Sequence, residues 1–180
     1  METDTCFENI DYLKNGSEKQ KRAYMLLTKY RILEKLSQFT PILVGTIPIN
    51  IDIENSDLDI ICYCENKSHF KKLLTEEFGD AIGFKIWEIA ELPTQDTLAY
   101  FMIDGFEIEI FGQNIPTKQQ SAYRYMIIEN KLINEKGEAF RQRIIELEQK
   151  GYNTEPAFGI ELGLKGNSYK ALLELESKID

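Results

Sequence analysis

Residues 57–64, DLDIICYC, set two carboxylates two positions apart at the start of an otherwise apolar run. The run predicts a strand in the middle of a sheet, because a strand covered on both faces has little use for polar residues. Side chains at i and i+2 of a strand share a face, so Asp57 and Asp59 present their carboxylates together, flanked by Leu58, Ile60 and Ile61. Ionised carboxylates are costly to bury, and two side by side repel. A divalent cation removes that cost, and hard oxygen ligands suit magnesium. An Asp-x-Asp at a strand start that merely faces water is the other reading of the same residues.

Two further features bear on the choice. Upstream, PILVG is a short apolar strand ended by Gly45, followed by Thr46. A glycine there lets the backbone approach a phosphate, and the threonine hydroxyl with nearby amides suits a triphosphate. Downstream, residues 106–111, FEIEIF, alternate polar with apolar, so Glu107 and Glu109 are expected on one side and the phenylalanines and isoleucines on the other. Either glutamate can complete a three-carboxylate site. The alternative is the solvated face of an edge strand.

The rest of the chain divides by its periodicities. Residues 17–38 carry apolar positions at helical spacing, and Ser17 offers a start signal. TIPINIDIENS, broken by Pro48, Asn50 and Asn55, reads as a loop. Ser68 is placed to cap a helix over HFKKLLTEEF that stops at Gly79. GFKIWEIAEL and LAYFMID read as strands, and Asp104-Gly105 is a hairpin turn into FEIEIF. Thr117 then caps a long helix over 118–135, Gly137 punctuates it, and a second helix runs to Gly151. Shorter helical pieces follow near EPAFGIELGL and SYKALLELES. The expected fold class is α+β, a mixed sheet with packed helices and an all-helical C-terminal tail. The expected division is a catalytic domain over 1–115 and a helical segment over 116–180 packed on it.

Composition narrows the function classes. The net charge is −9 and the basic residues are scattered among acids. Gripping a nucleic-acid backbone requires a cation for each phosphate contact, so a small-molecule or protein partner is expected and duplex nucleic acid is not. No apolar run approaches the ~18 residues that span a bilayer. The acidic, polar opening METDTCFENIDYLKNG lacks the basic and apolar regions of a secretory signal, so the expected location is the cytoplasm and no membrane partner is expected. Cys62 and Cys64 share a strand face and Cys6 is remote. With His69 as the one histidine, a zinc site lacks ligands, and buried free thiols are expected. His69 reads as exposed. Trp87 reads as filling the core or its edge, Phe158 as core, and Tyr123, Tyr125 and Tyr152 as packing residues.

Taken together, Gly45-Thr46, the ten residues 47–56, Asp57-Leu58-Asp59-Ile60 and the acidic strand 106–111 resemble the DNA polymerase β-type nucleotidyltransferase superfamily over roughly residues 20–111. IEIFGQ, QSAYRYM and TEPAFG further resemble an uncharacterised bacterial group within it, classed as a domain of unknown function. The resemblance implies that Asp57, Asp59 and Glu109 act as catalytic metal ligands for Mg²⁺ or Mn²⁺, with Glu107 as the runner-up third carboxylate. Glu109 is preferred because it lies further from the Asp104-Gly105 turn. Gly45 and Thr46 would hold a nucleoside triphosphate. The implied activity is transfer of a nucleoside monophosphate to a small-molecule or protein acceptor. The alternative is a catalytically silent protein of the same fold that binds nucleotide or a protein partner. The sequence departs from the superfamily pattern in two ways: threonine stands where serine is usual, and Ile47-Pro48-Ile49-Asn50 lacks the basic residue many relatives carry. Lys85, Lys118 and Arg124 are the candidate substitutes for that cation.

Overall fold

The computed structural model describes residues 7–89 and 96–178. Five strands form one mixed sheet: β1 (Ile42–Val44), β2 (Leu58–Tyr63), β3 (Ile82–Ile89), β4 (Asp96–Ile103) and β5 (Phe106–Gln113). Their spatial order is β1-β2-β5-β4-β3. Only β2 and β5 are parallel; the other neighbouring pairs are antiparallel. The carboxylate-bearing β2 therefore lies inside the sheet, as its apolar run predicts. Asp104 and Gly105 both take positive φ in the β4–β5 hairpin, which suits Asp-Gly.

Alternation splits the sheet into two faces, each with its own core. Leu58, Ile60 and Cys62 of β2, Ala99 and Phe101 of β4, and Phe106, Ile108 and Ile110 of β5 pack against α1 (Glu18–Lys29), α2 (Ile32–Lys35) and α3 (Lys67–Phe78). On the opposite face, Ile42 and Val44 of β1 and Ile61 of β2 join apolar residues of α4 (Ser121–Lys136), α5 (Glu138–Gln149), α6 (Thr154–Glu161) and α7 (Ser168–Leu173). Ile47, Ile49 and Ile51 do not form a strand. They sit in the predicted loop and are all buried, Ile47 in the first core and the other two in the second. That burial anchors the loop at both cores.

Several local expectations need correction. The helix over 17–38 is two helices, because Arg31 takes a left-handed conformation between α1 and α2. The cap of α3 is Asn66, whose side chain accepts from the His69 amide, rather than Ser68. Thr117 begins a short 3-10 turn over Thr117–Gln119, and α4 starts only at Ser121. Phe111 lies on the same face as Glu109, not with Phe106 and the isoleucines. Trp87 is 42% exposed on the outer strand β3. Ser17 does cap α1, in a reciprocal capping box with Gln20. His69 is exposed, Phe158 is buried, and Cys62 and Cys64 are buried free thiols; Cys6 lies outside the described residues.

Gly112 shows how tightly the first core closes. A Cβ there would stand 2.2 Å from a ring carbon of Phe70, itself fully buried between α3 and the sheet. Interiors packed this densely do not absorb an added methyl without shifts. Gly112→Ala is expected to lower unfolding stability by about 1–3 kcal/mol. A urea denaturation midpoint unchanged from the parent would contradict this reading of the contact.

Candidate active site

The parallel pairing of β2 with β5 sets Asp59 directly opposite Glu109. Asp57, one residue before β2, shares the face of Asp59. Ligand atoms of Asp57, Asp59 and Glu109 all lie within 4.8 Å of one another, and all three residues are half-buried. Glu107, the runner-up, is exposed and stands outside this trio. Backbone register accounts for the difference, since Glu107 precedes the first residue pair of the β2–β5 ladder.

The electrostatics are those of crowded acids. Burial, then the charges of Asp57 and Glu109, push the Asp59 carboxyl well above its ordinary value. Burial also raises Asp57, with Glu107 adding to it, and raises Glu109, with Asp57 and Glu107 adding to it. The donor set is three carboxylates of hard oxygen, gathered and destabilised by one another. It fits a magnesium-type ion, which would relieve both desolvation and repulsion.

Gly45 ends β1 beside Asp59, because Val44 pairs with Asp59 across the β1–β2 ladder. Its φ is +88°, and a Cβ there would stand 2.5 Å from Asp59 Oδ2. Glycine is thus required twice, for the left-handed backbone and for the close approach to the carboxylate. Thr46 Oγ1 bonds Ser56 Oγ at 3.1 Å, and Ser56 Oγ accepts from the Ile53 amide at 2.9 Å. The two hydroxyls staple the ends of the 46–56 loop next to Asp57. Ser56 escaped the sequence reading; its position immediately before Asp57 is the signal that was available.

The first turn of α1 fixes the same loop. Gln20 Nε2 donates to the carbonyls of Ile47 and Pro48, and Lys19 Nζ donates to those of Ile53 and Glu54. Arg141 of α5 donates to the Asn50 carbonyl at 2.6 Å. Lys19 is the cation the sequence reading missed: its charge lowers the Asp57 carboxyl and it ion-pairs with Asp52 at 3.9 Å. Its position in a helix start, far from the loop in sequence, gave no signal. Of the three expected substitutes, two are engaged in ion pairs and Lys85 lies in the cross-strand row of Tyr100, Glu109 and Asp59. Lys118 pairs with Glu8, Arg124 with Glu176, and Lys85 is exposed on β3.

A cavity of about 570 Å³ lies over this face, between the trio and the tail helices. Gly45, Thr46 and the trio line one side. Tyr125 and Glu129 of α4, Glu148 of α5, Tyr152, and Glu155 of α6 line the other. Among the described residues that line it, none is lysine or arginine.

The mixed five-stranded sheet with helices on both faces is an α+β fold, and solved structures of nucleotidyltransferases match it. The Cid1 structure reported as a basis for RNA terminal uridylyl transferase activity aligns with a TM-score of 0.53 at 14% identity, covering 73% of this chain and 41% of that one. Cid1 poly(U) polymerase bound to Mg 3′-dATP aligns at 0.54 and 16%, covering 87% and 48%. Cid1 in complex with the UTP analogue UMPNPP aligns at 0.53 and 14%, covering 81% and 48%. At such identities the likeness is one of fold, and the chain spans less than half the length of these proteins. Residues 25–175 match the domain of unknown function DUF4269, and the chain belongs to that family. No curated protein matches the chain. Among the described residues no helix is long and apolar enough to cross a membrane.

Proposed function

We propose that this protein is a magnesium-dependent nucleotidyltransferase that moves a nucleoside monophosphate from a nucleoside triphosphate to a small-molecule or protein acceptor. The observation that carries the reading is the gathering of Asp57, Asp59 and Glu109 within 4.8 Å on adjacent parallel strands, beside the Gly45-Thr46 turn. The fold likeness to nucleotidyltransferases supports it. Residues 1–115 would form the catalytic part and 116–180 the helical wall over it.

Asp57, Asp59 and Glu109 would hold magnesium or manganese, which when bound activates an acceptor hydroxyl and neutralises the pyrophosphate leaving group. The amides and hydroxyl of the Gly45-Thr46 turn would position the triphosphate. An acceptor oxygen attacks the α-phosphorus and forms a new P–O bond. The bond from that phosphorus to the oxygen bridging the β-phosphate breaks, and pyrophosphate leaves. The acceptor's proton passes to a carboxylate of the trio. The protein's share is positioning and charge stabilisation. A cavity without lysine or arginine among its described lining residues favours a compact acceptor over a duplex backbone.

That same lack of cations favours the second reading, a silent fold that binds nucleotide without turnover. The test is a thermal melt with magnesium and each of the four common triphosphates, paired with a pyrophosphate-release assay. Stabilisation by one triphosphate only in the presence of magnesium, with pyrophosphate release once an acceptor is supplied, is the expected result. No stabilisation by any of the four would end the enzyme reading. Stabilisation without release under any acceptor would leave the silent binder.

A further inference from the structure

Across the cavity from the Asp57–Asp59–Glu109 trio stands a second group of acids that the proposed chemistry does not use. Glu129 is 4% exposed and Glu148 is 6% exposed, and each comes from a different helix of the tail. Glu155 is half-buried at the start of α6. Glu129 Oε1 is buried and has no hydrogen-bond partner. Glu148 Oε1 accepts one bond, from the Thr154 hydroxyl at 2.9 Å. An unpaired buried acceptor is costly, and a ligand donor that reaches this one would remove that cost.

We infer that this half of the cavity binds a small organic polyamine, its ammonium groups met by Glu129, Glu148 and Glu155 beside the rings of Tyr125 and Tyr152. The inference deepens the proposed function, on which it rests for one point only: the amine belongs to the acceptor.

Three observations select an ammonium ion. First, the charges that act on Glu129 are those of Glu155 and Glu148, both negative, and together with burial they raise its carboxyl well above the ordinary value. The charges on Glu148 are those of Asp52 and Glu155, and burial brings it to about 7. Arg141 is engaged with Glu138 and Asn50, Lys19 with Asp52 and the 46–56 loop, and Arg124 with Glu176. A cationic ligand that binds here takes the place of the protons these carboxyls otherwise hold. Second, a metal ion is the wrong occupant. Among the described residues only Asp57, Asp59 and Glu109 bring three ligand atoms within 4.8 Å of one another, so Glu129, Glu148 and Glu155 do not all meet at one ion. Spread carboxylates match the separate ammonium groups of a polyamine, each of which offers its own N–H donors. Third, the wall includes Tyr125 and Tyr152, and an ammonium ion is drawn to aromatic faces as well as to carboxylates. Tyr152 is 48% exposed, which puts its ring at the mouth. An acceptor anchored here by its amine would present its remaining groups toward the trio in the same cavity.

The experiment measures spermidine binding to the full chain by calorimetry, without magnesium and without triphosphate, with glycerol as the neutral control. Spermidine is expected to bind and glycerol not. Glu129→Gln and Tyr152→Ala are each expected to weaken binding by about tenfold, the loss of a charged hydrogen bond or a cation–π contact. Glu129→Gln keeps shape and removes a group that would have to ionise in a buried place, and Tyr152 is exposed, so both variants should fold; melts confirm it. Asp59→Asn is expected to leave spermidine affinity within twofold. Equal losses in Asp59→Asn and Glu129→Gln would show unspecific attraction to an acidic cavity and overturn the site. Magnesium displacing spermidine from the Asp59→Asn variant would overturn it in favour of a cation site at the tail. Absence of spermidine binding overturns it while leaving triphosphate binding intact. Conversely, spermidine binding without any magnesium–triphosphate effect keeps the amine site and removes the transferase reading.

Discussion

Asp57→Asn and Asp59→Asn are each expected to abolish magnesium-dependent nucleotide transfer and to leave the protein folded. In the metal-free protein Asp59 is destabilised by burial and by two neighbouring carboxylates, and Asp57 by burial and Glu107. Replacing either carboxylate with an amide of the same shape relieves that repulsion. The melting temperature without ligands should therefore stay level or rise slightly. In the active complex the same change deletes a metal ligand, and charge developing on the transferred phosphorus and the pyrophosphate is left uncompensated. Loss of one such electrostatic element costs about 2–4 kcal/mol in barrier, on the order of a hundredfold or more in rate. Parallel melts and pyrophosphate-release assays check both halves. Variants that bind magnesium–triphosphate as well as the parent would show that the site lies elsewhere. Variants that melt far below the parent would show that these carboxylates support the fold instead.

The metal-free protein is expected to lose stability as pH rises from about 5 to about 8. The sign follows from which state holds more protons. Burial raises the carboxyls of Asp57, Asp59, Glu109, Glu129, Glu148 and Glu155 in the folded protein. Between the unfolded and folded values the native state binds more protons than the unfolded chain, so stability falls with rising pH. Glu148 sets the best-defined window, from 4.5 unfolded to about 7 folded. That rise alone corresponds to about 3 kcal/mol, present below the lower value and lost as pH passes the upper one. Carboxylates held low act in another range. Glu138, brought to about 2 by Arg141 and Gln142, loses its contribution only as pH falls below the usual carboxylate values. Stability should therefore peak near pH 5. Glu148→Gln should flatten part of the slope, and a bound organic ammonium should flatten more of it. Urea unfolding across this range, with a chelator present, makes the measurement; a curve level or rising from pH 5 to 8 would refute it.

Much of the fold and half of the cavity were legible in the sequence, for a local reason. Strand faces follow from alternation, turns from Asp104-Gly105 and Gly137, and the shared face of Asp57 and Asp59 from their spacing. Covalent neighbours encode such features, so one chain suffices to read them. The α1–α2 break at Arg31 and the late start of α4 were missed because no strong breaker marks the first and Thr117 opens a 3-10 turn instead of capping the helix in the second.

What the sequence by itself determined, then, is which residues can form a paired-carboxylate strand, a glycine-ended strand before it, and an acidic hairpin after it. Tertiary structure alone decided that β2 and β5 pair in parallel with Asp59 opposite Glu109, which separates Glu109 from Glu107. It alone decided that Lys19 and Gln20 reach across to hold the 46–56 loop. It alone buried Glu129 and Glu148, which in sequence are ordinary helix glutamates. The physical reason is common to all three. Burial and charge proximity depend on how separate elements pack, and a carboxylate acquires its chemistry from what surrounds it in space rather than from its neighbours along the chain.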